Sequence, residues 1–264
     1  MKLGSHNVKE FWANAWATHN TGWKTWEQLA SFTRILTAFL HGAGFLSAEE
    51  QAEAERQKEG AYGAVSRFLA GKTAFVPLCG DSAALAYMVG CRVKHVVAVD
   101  LSEEALTTQR QVKFPDLQFQ TTRLEPAEGA TEGIEVHEAT MDGSRITLFQ
   151  GDLMQLPRFK AYCELEVDFL FDCASMMAIP AGLRGAYVKA VTSVLRPSSV
   201  VAYQQAVRRL PEERDWGPPF MVDMDEVLQL YRQYTGREYK ATPVLNLDVE
   251  GKLYPQWYAI LPQN

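Results

Sequence analysis

The chain has 264 residues, of which 47% are hydrophobic and 22% are charged, and its formal net charge is −6. These values are typical of a soluble globular protein long enough for one α/β domain, and the lack of a basic block argues against binding to a nucleic-acid backbone. No stretch reaches the run of about 20 apolar residues that a membrane span needs, and the N-terminus lacks the apolar core of a signal peptide.

Residues 1–70 are predicted to form a helical extension. The stretch "LASFTRILTAFL" places its apolar side chains on one helical face. Ser47 and Glu50 have capping-box spacing, which predicts a further helix running toward Leu69. Trp12 and Trp16 lie four residues apart and would share a helix face, where they could pack in a core or cover a bound ligand.

Strands and helices alternate from residue 72 onward. The sequence predicts a strand at "TAFVPL", a helix at "SAALAYMV" and a strand at "KHVVAVDL", after which Ser102 is expected to cap a helix. Residues 121–145 are polar and contain three glycines, so we expect an excursion with the character of a hairpin. Further buried strands are predicted at "RITLFQGDL" and "VDFLFDCASM".

The rest of the chain continues the alternation. The sequence predicts a helix at "AGLRGAYVKAVTSVL", a strand at "SVVAYQQA", and a helix opened by a capping box of Asp223 and Glu226. Two strands without an intervening helix then close the chain. This order predicts a Rossmann-like α/β fold with a mostly parallel sheet, an antiparallel edge and helices on both faces. We expect a single domain over 1–264, with the core at 71–264.

Ligands of an open α/β sheet bind beyond the carboxyl ends of the strands, where this sequence places aspartates. Asp100 follows Gly80 by twenty residues and could accept hydrogen bonds from a ribose diol, or it could only help to cap the next helix. Asp152 could accept a hydrogen bond from an adenine amine with Leu153 against the ring, or it could belong to an ordinary Gly-Asp turn.

Asp172 ends a predicted buried strand. A carboxylate there is unfavourable unless it meets a polar ligand or a hydrogen-bond donor. It could face the reacting end of a cofactor as a catalytic group, or it could be bonded to amides of its own loop.

The loop "FVPLCGDS" contains a single glycine. A dinucleotide needs its pyrophosphate against backbone amides, and three glycines recur there for that reason. A cofactor with a ribose and an adenine but no phosphate needs only one small residue for close approach. S-adenosylmethionine is such a cofactor, and its amino acid end could meet residues 77–80.

Several segments together resemble the thiopurine S-methyltransferase family. They are "FWANAWATHNTGW", "FVPLCGDS", "HVVAVDLSEEAL", "GDLMQLP", "FDCASM" and "WGPPFMV", in matching order over about residues 10–260. The resemblance implies a class I methyltransferase fold, S-adenosylmethionine as the methyl donor, and the thiol or selenol of a small molecule as the acceptor. It also implies a monomeric, cytosolic enzyme.

The resemblance assigns roles to individual positions. The cofactor-binding residues that it implies are Trp12, Trp16, Thr21, Trp23, Leu78, Gly80, Asp100, Leu101, Asp152 and Leu153. The substrate pocket would include Cys173, Pro218, Pro219 and Phe220. Family members such as the mammalian enzymes carry an arginine after the aspartate that ends the fourth strand, whereas Cys173 occupies that place here.

The expected reaction is in-line transfer of a methyl group, in which the enzyme aligns donor and acceptor and excludes water. A thiol of low pKa needs no strong base. An N- or O-methyltransferase, a nicotinamide-dependent oxidoreductase and a non-catalytic binding protein stay open as alternatives. The expected partner is a small-molecule acceptor, with no nucleic acid and no membrane.

The four cysteines have neither CxxC spacing nor the density of a disulfide scaffold. We therefore expect free thiols, no structural zinc and a cytoplasmic location.

Overall fold

A computed structural model describes residues 8–18, 31–56, 58–126, 128–130, 132–247 and 253–263. The described residues form one nine-stranded sheet in the order β3-β4-β5-β2-β1-β6-β7-β9-β8. The strands are β1 Thr73–Val76, β2 His95–Asp100, β3 Gln120–Leu124, β4 Ile134–Met141, β5 Ser144–Gln150, β6 Val167–Asp172, β7 Leu195–Arg208, β8 Tyr239–Asn246 and β9 Leu253–Pro262.

The centre of the sheet is parallel and its two edges are antiparallel. Strands β5, β2, β1, β6 and β7 pair in parallel. At one edge β9 pairs antiparallel with both β7 and β8, as the closing strand pair predicted. At the other edge β4 pairs antiparallel with β3 and β5, so the polar excursion does contain a hairpin.

The β4–β5 hairpin follows from its turn residues. Asp142 and Gly143 have φ values of 51° and 84°. Asp-Gly is a favoured pair for two-residue turns that need positive φ at both positions. The turn directs β5 back along β4 to the parallel part of the sheet.

Nine α-helices are assigned within the described residues. They are α1 Val8–Ala17, α2 Phe32–Gly42, α3 Ala48–Arg56, α4 Lys58–Leu69, α5 Ala84–Gly90, α6 Glu103–Thr108, α7 Lys160–Cys163, α8 Ala181–Thr192 and α9 Met224–Thr235. A π-helical turn, Gln109–Lys113, extends α6. No helix of the described residues is long and apolar enough to cross a membrane.

Helix starts show which local predictions were correct. Ser47 and Glu50 form the predicted capping box, because each side chain accepts a hydrogen bond from the backbone N–H of the other residue. The Asp223–Glu226 capping box is wrong. Asp223 makes no side-chain cap hydrogen bond and pairs with Arg214, while Glu226 pairs with Arg184 at 2.7 Å. Ion pairing with arginines replaces the local cap.

Two apolar cores cover the two faces of the sheet. Successive side chains of β1 point to opposite faces of the sheet. Ala74 and Val76 therefore belong to the first core and Phe75 to the second. Helices α2, α4 and α5 contribute to the first core, and α8 and α9 contribute to the second. Helices on both faces leave the strand ends as the open rim of the sheet.

Candidate active site

A cavity of about 1010 Å³ lies at the carboxyl ends of the parallel strands. This is the edge where open α/β sheets bind ligands. Small-molecule sites usually span roughly 300–1,000 Å³. The cavity therefore has room for a cofactor-sized ligand together with a second small molecule.

The cavity has two halves of different character. The carboxylate half lies at the ends of β5, β2 and β1. The aromatic half lies at α2, at the end of β6 and where Gln204 of β7 pairs with Trp257 of β9. Residues lining the carboxylate half include Leu78, Gly80, Asp100, Leu101, Asp152 and Leu153. The aromatic half is lined by Phe32, Ile35, Cys173, Ala174, Gln204 and Trp257. Because neighbouring strands lie about 4.8 Å apart, the strand order places the halves side by side along the rim.

The loop after β1 is tied down from two directions. The Gly80 N–H donates to Asp100 Oδ2 at 2.8 Å. From the other direction Gln109 Nε2 donates to the carbonyls of Gly80 and Ser82, at 3.0 and 2.8 Å. Leu78 and Gly80 both adopt positive φ, at 45° and 52°. This conformation brings the loop backbone to the cavity wall.

Asp100 is a buried carboxylate in the cavity wall. Its two oxygens accept hydrogen bonds from the N–H groups of Gly80 and Ser102, each at 2.8 Å. Burial raises the pKa of Asp100, and the backbone amides of Ser102, Gly80 and Leu101 oppose that rise. The Ser102 side chain separately caps α6 by accepting from the N–H of Ala105. A carboxylate oxygen can accept more than one hydrogen bond, so Asp100 can hold its loop and still accept from a ligand.

Asp152 opens the turn after β5. Its Oδ1 accepts from the N–H of Met154 at 3.0 Å, and its carbonyl accepts from the N–H of Gln155 at 2.8 Å. A Cβ added to Gly151 would lie 2.7 Å from Ile134 Cγ2, so a larger residue there would force Ile134 to shift. These hydrogen bonds and this packing define the shape of the turn, which places both Asp152 and the buried Leu153 on the cavity wall.

Asp172 lies behind the cavity wall. It is fully buried and accepts from the N–H of Met176 at 3.1 Å and from the hydroxyl of Tyr187 at 2.8 Å. Burial raises its pKa to about 6. Tyr187 lines the cavity and Asp172 does not. The predicted catalytic carboxylate thus reaches the cavity only through a tyrosine.

Ring contacts organise the aromatic half. Phe171, at the end of β6, stacks on Trp257 with ring centroids 5.3 Å apart and meets Phe32 edge-on at 6.0 Å. Cys173 Sγ donates to Gln204 Oε1 at 3.4 Å. Of the described residues that line this half, none is charged.

Helix α1 supplies another part of the wall. Trp12 and Trp16 both line the cavity, as their shared helix face suggested, and Trp16 is buried. Trp12 Nε1 donates to the carbonyl of Ala178 at 3.5 Å, which connects α1 to the segment after β6. Thr21 and Trp23 lie outside the described residues. Across the described parts of the chain, no group of three His, Cys, Asp or Glu side chains could hold a metal ion.

A family model described as thiopurine S-methyltransferase (TPMT) matches residues 61–255. The chain belongs to this family. The thiopurine S-methyltransferase of Vibrio parahaemolyticus is 26% identical over 250 residues, which cover 94% of this chain and 90% of the relative. The enzyme of the same name from Shewanella baltica OS195 is 34% identical over 148 residues, 56% of this chain and 59% of the relative.

Solved structures share the fold of this family member. The magnesium protoporphyrin IX methyltransferase of Synechocystis PCC 6803, solved with bound S-adenosylmethionine, gives a TM-score of 0.51 at 11% identity over 99% of this chain and 98% of its own. The methyltransferase domain of bacterial CtHen1 also gives 0.51, at 17% identity over 78% and 97%. The predicted family and the Rossmann-like class I fold are confirmed.

Membership in the thiopurine S-methyltransferase family settles the general chemistry. The chain is an S-adenosylmethionine-dependent methyltransferase, as the carboxylates and the single loop glycine predicted. The nicotinamide-dependent alternative therefore no longer applies.

The expected acceptor wall of Pro218, Pro219 and Phe220 does not line the cavity. The Phe220 N–H donates to the carbonyl of Met177 at 2.7 Å, and Arg208 Nη2 donates to the carbonyl of Pro219 at 2.9 Å. These contacts hold the segment against the loop after β6 and the end of β7.

The residues of the site that the sequence did not predict are Gln109, Tyr187, Gln204 and Trp257. A signal existed for Gln204, because it is a polar residue near the end of a buried strand, the criterion that selected Asp100. No local signal connects Gln109 with the loop whose carbonyls it holds.

Proposed function

We propose that this enzyme transfers the methyl group of S-adenosylmethionine to the sulfur, or selenium, of a small thiol or selenol. The observation that carries the proposal is the division of the cavity. Hydrogen-bonding groups suited to the cofactor lie at β5, β2 and β1, whereas the aromatic half lacks a carboxylate or histidine among its described lining residues.

The carboxylate half fits the cofactor. Asp100 would accept from the ribose hydroxyls, and Asp152 would accept from the adenine amine. Leu101 is 46% exposed beside Asp100, and with Leu153 it offers apolar surface for the adenine ring. Leu78 and Gly80 would contact the methionine end, and the tryptophans of α1 would cover the cofactor.

The aromatic half fits an acceptor that needs no strong base. The cofactor supplies an electrophilic methyl group, and the residues of the chain hold the acceptor in line with it. A hydroxyl acceptor must lose a proton that few groups here could take, whereas a thiol of low pKa is already partly ionised. Asp172 faces Tyr187, so we assign it the role of holding Tyr187 and the segment after β6.

We further propose a single methyltransferase domain over 1–264, with residues 1–70 covering the cofactor, acting as a cytoplasmic monomer. The free cysteines Cys79, Cys91, Cys163 and Cys173 support a reducing compartment. Size-exclusion chromatography with light scattering tests the monomer, for which one mass of about 29.6 kDa is expected.

Methyl transfer from labelled S-adenosylmethionine tests the acceptor atom. Benzenethiol, benzeneselenol, aniline and phenol present the four candidate atoms on one ring. We expect transfer to sulfur and selenium to exceed transfer to nitrogen and oxygen by at least about a hundredfold in kcat/KM, as a base contributes about 10²–10⁴-fold where the acceptor needs one. Transfer confined to the amine or the phenol would favour the N- or O-methyltransferase. Tight cofactor binding without any turnover would favour a binding protein.

A further inference from the structure

The aromatic half of the cavity contains polar side chains to which the proposed cofactor site assigns no role. Gln204 on β7 pairs in register with Trp257 on β9. Cys173 follows the end of β6, next to β7, and its thiol meets the Gln204 carbonyl oxygen at 3.4 Å. All three side chains line the cavity. Three adjacent strands therefore bring them to one place in the aromatic half.

Both Gln204 and Trp257 are almost fully buried, so an unpaired polar group on either is unfavourable. Gln204 is 2% exposed and Trp257 is 1% exposed. Trp257 Nε1 has no hydrogen-bond partner in the described part of the chain, but it is shielded from the cavity, so Trp257 contributes its ring surface and not a donor. The thiol contact occupies the Gln204 carbonyl oxygen, so its amide N–H groups are the donors left for a ligand. An unsatisfied buried donor costs roughly 1–3 kcal/mol, which a ligand atom that accepts a hydrogen bond can recover.

Among the described residues, the cations that line the cavity are Lys189 and Arg158, and both lie outside its aromatic half. Lys189 is on α8, which packs on the second core, whereas Gln204 shares its sheet face with Ala202 of the first core. Arg158 borders the carboxylate half, in the connection after β5. Arg208 faces Glu213 at 3.9 Å, and Arg209 lies over the Tyr254 ring at 4.7 Å. Among its described lining residues, the aromatic half of the cavity thus offers a neutral hydrogen-bond donor and no cation.

We propose that Gln204, beside the ring of Trp257, is an acceptor-binding residue that selects an uncharged aromatic thiol or selenol with a hydrogen-bond acceptor atom beside its sulfur. This inference rests on the proposed function. The rings of Phe32 and Trp257 supply the apolar walls, and the Gln204 amide donates to the neighbouring polar atom. A carboxylate on the acceptor finds no counter-charge and must lose its hydration, so anionic thiols are disfavoured.

Three thiols of similar size test the proposal. The thiol 2-methoxybenzenethiol carries the acceptor oxygen, 2-ethylbenzenethiol replaces that oxygen with a methylene, and 2-sulfanylbenzoate carries a charge. Each is measured by turnover and, with S-adenosylhomocysteine present, by calorimetric binding. We expect the methoxy thiol to exceed the ethyl thiol by about two- to twelvefold, the range of one neutral hydrogen bond, and the carboxylate to be the weakest ligand.

Gln204→Leu should bring the methoxy-to-ethyl ratio close to one. Gln118→Leu makes the same chemical change at an exposed position outside the cavity lining and should leave the ratio as it is. Cys173→Arg should improve binding of the carboxylate relative to the ethyl thiol. Calorimetric S-adenosylhomocysteine affinity shows that each variant is folded, and Gln204→Asn replaces Gln204→Leu if the leucine variant is not.

The outcomes separate the two proposals. Selective binding that Gln204→Leu abolishes supports the inference even if sulfur is not methylated, in which case only the proposed function fails. Equal binding of the three thiols, or a ratio that Gln204→Leu leaves unchanged, overturns the inference while leaving thiol methylation intact.

Discussion

The two halves of the cavity are built by different means. In the carboxylate half, backbone and side chain hold each other, as the Gly80 N–H on Asp100 and the Gln109 amide on the loop carbonyls show. In the aromatic half, side chains from α2, β6, β7 and β9 meet through ring contacts and one thiol contact. The first is a short-range network of hydrogen bonds, and the second is a packed surface.

This difference matches what we propose that each half recognises. The cofactor presents fixed hydrogen-bonding groups, and a backbone network fixes its partners in space. The aromatic half can change by single side chains without disturbing that network, as Cys173 illustrates, because its 3.4 Å contact with Gln204 joins two side chains and no backbone group of the loop after β1. We therefore expect substitutions in the carboxylate half to affect all reactions and those in the aromatic half to affect acceptor choice.

Asp100→Ala should have the largest effect on the carboxylate half. The change removes the proposed ribose acceptor and the anchor of the Gly80 N–H, so cofactor affinity should fall by roughly 1.5–3 kcal/mol, about 10- to 150-fold in Kd. Calorimetry with S-adenosylhomocysteine measures the loss, and circular dichroism confirms the fold. An unchanged Kd in a folded variant would refute the ribose assignment.

Asp172→Asn tests the strand end between the halves. Burial raises the pKa of Asp172 to about 6, so the native state binds this proton more tightly than the unfolded chain between about pH 4 and 6. The free energy of unfolding must therefore fall as pH rises through that window. The asparagine stays neutral, so the variant should gain on the order of 2 kcal/mol relative to the parent between pH 4.5 and pH 7.

Urea unfolding at the two pH values measures this difference. The nearby phenols of Tyr187, Tyr203 and Tyr231 stay protonated throughout, because burial raises their pKa values well above the ordinary value. Tyr187→Phe is the control: it removes the hydrogen bond that lowers the pKa of Asp172, so the parent window should move to higher pH. A variant with the same pH dependence as the parent would contradict the buried titration.

The sequence predicted the carboxylate half better than the aromatic half, for a physical reason. Asp100 and Asp152 end strands whose apolar character is local, and parallel pairing brings such ends to one rim. Trp257 meets Gln204 only through the antiparallel pairing of β7 with β9, a long-range contact that no local pattern encodes. The same limit explains why the predicted Asp223–Glu226 capping box does not form, since both carboxylates pair with arginines outside the helix.

Leu78 and Ala174 both adopt positive φ, and they lie in loops of different halves of the cavity. A substitution of Ala174 provides a smaller test of the comparison. Ala174 has a φ of 62°, a conformation that costs a non-glycine residue about 1–2 kcal/mol. Ala174→Gly relieves that cost but adds about 0.5–1 kcal/mol of chain entropy to the unfolded state. The free energy of unfolding should therefore rise by up to about 1 kcal/mol, as measured by urea unfolding.

Gly44→Ala tests the same balance between backbone strain and the chain entropy of the unfolded state, but in the opposite direction. Gly44 has a φ of 76° and open space around its missing Cβ, so alanine there adds backbone strain without a clash. It should lower the free energy of unfolding by about 1 kcal/mol. Cofactor affinity should stay unchanged in both variants, because Ala174 lies in the aromatic half and Gly44 outside the cavity. A cofactor Kd that weakens with Ala174→Gly would instead show that the two halves share one rigid loop network, and the division between them would fail.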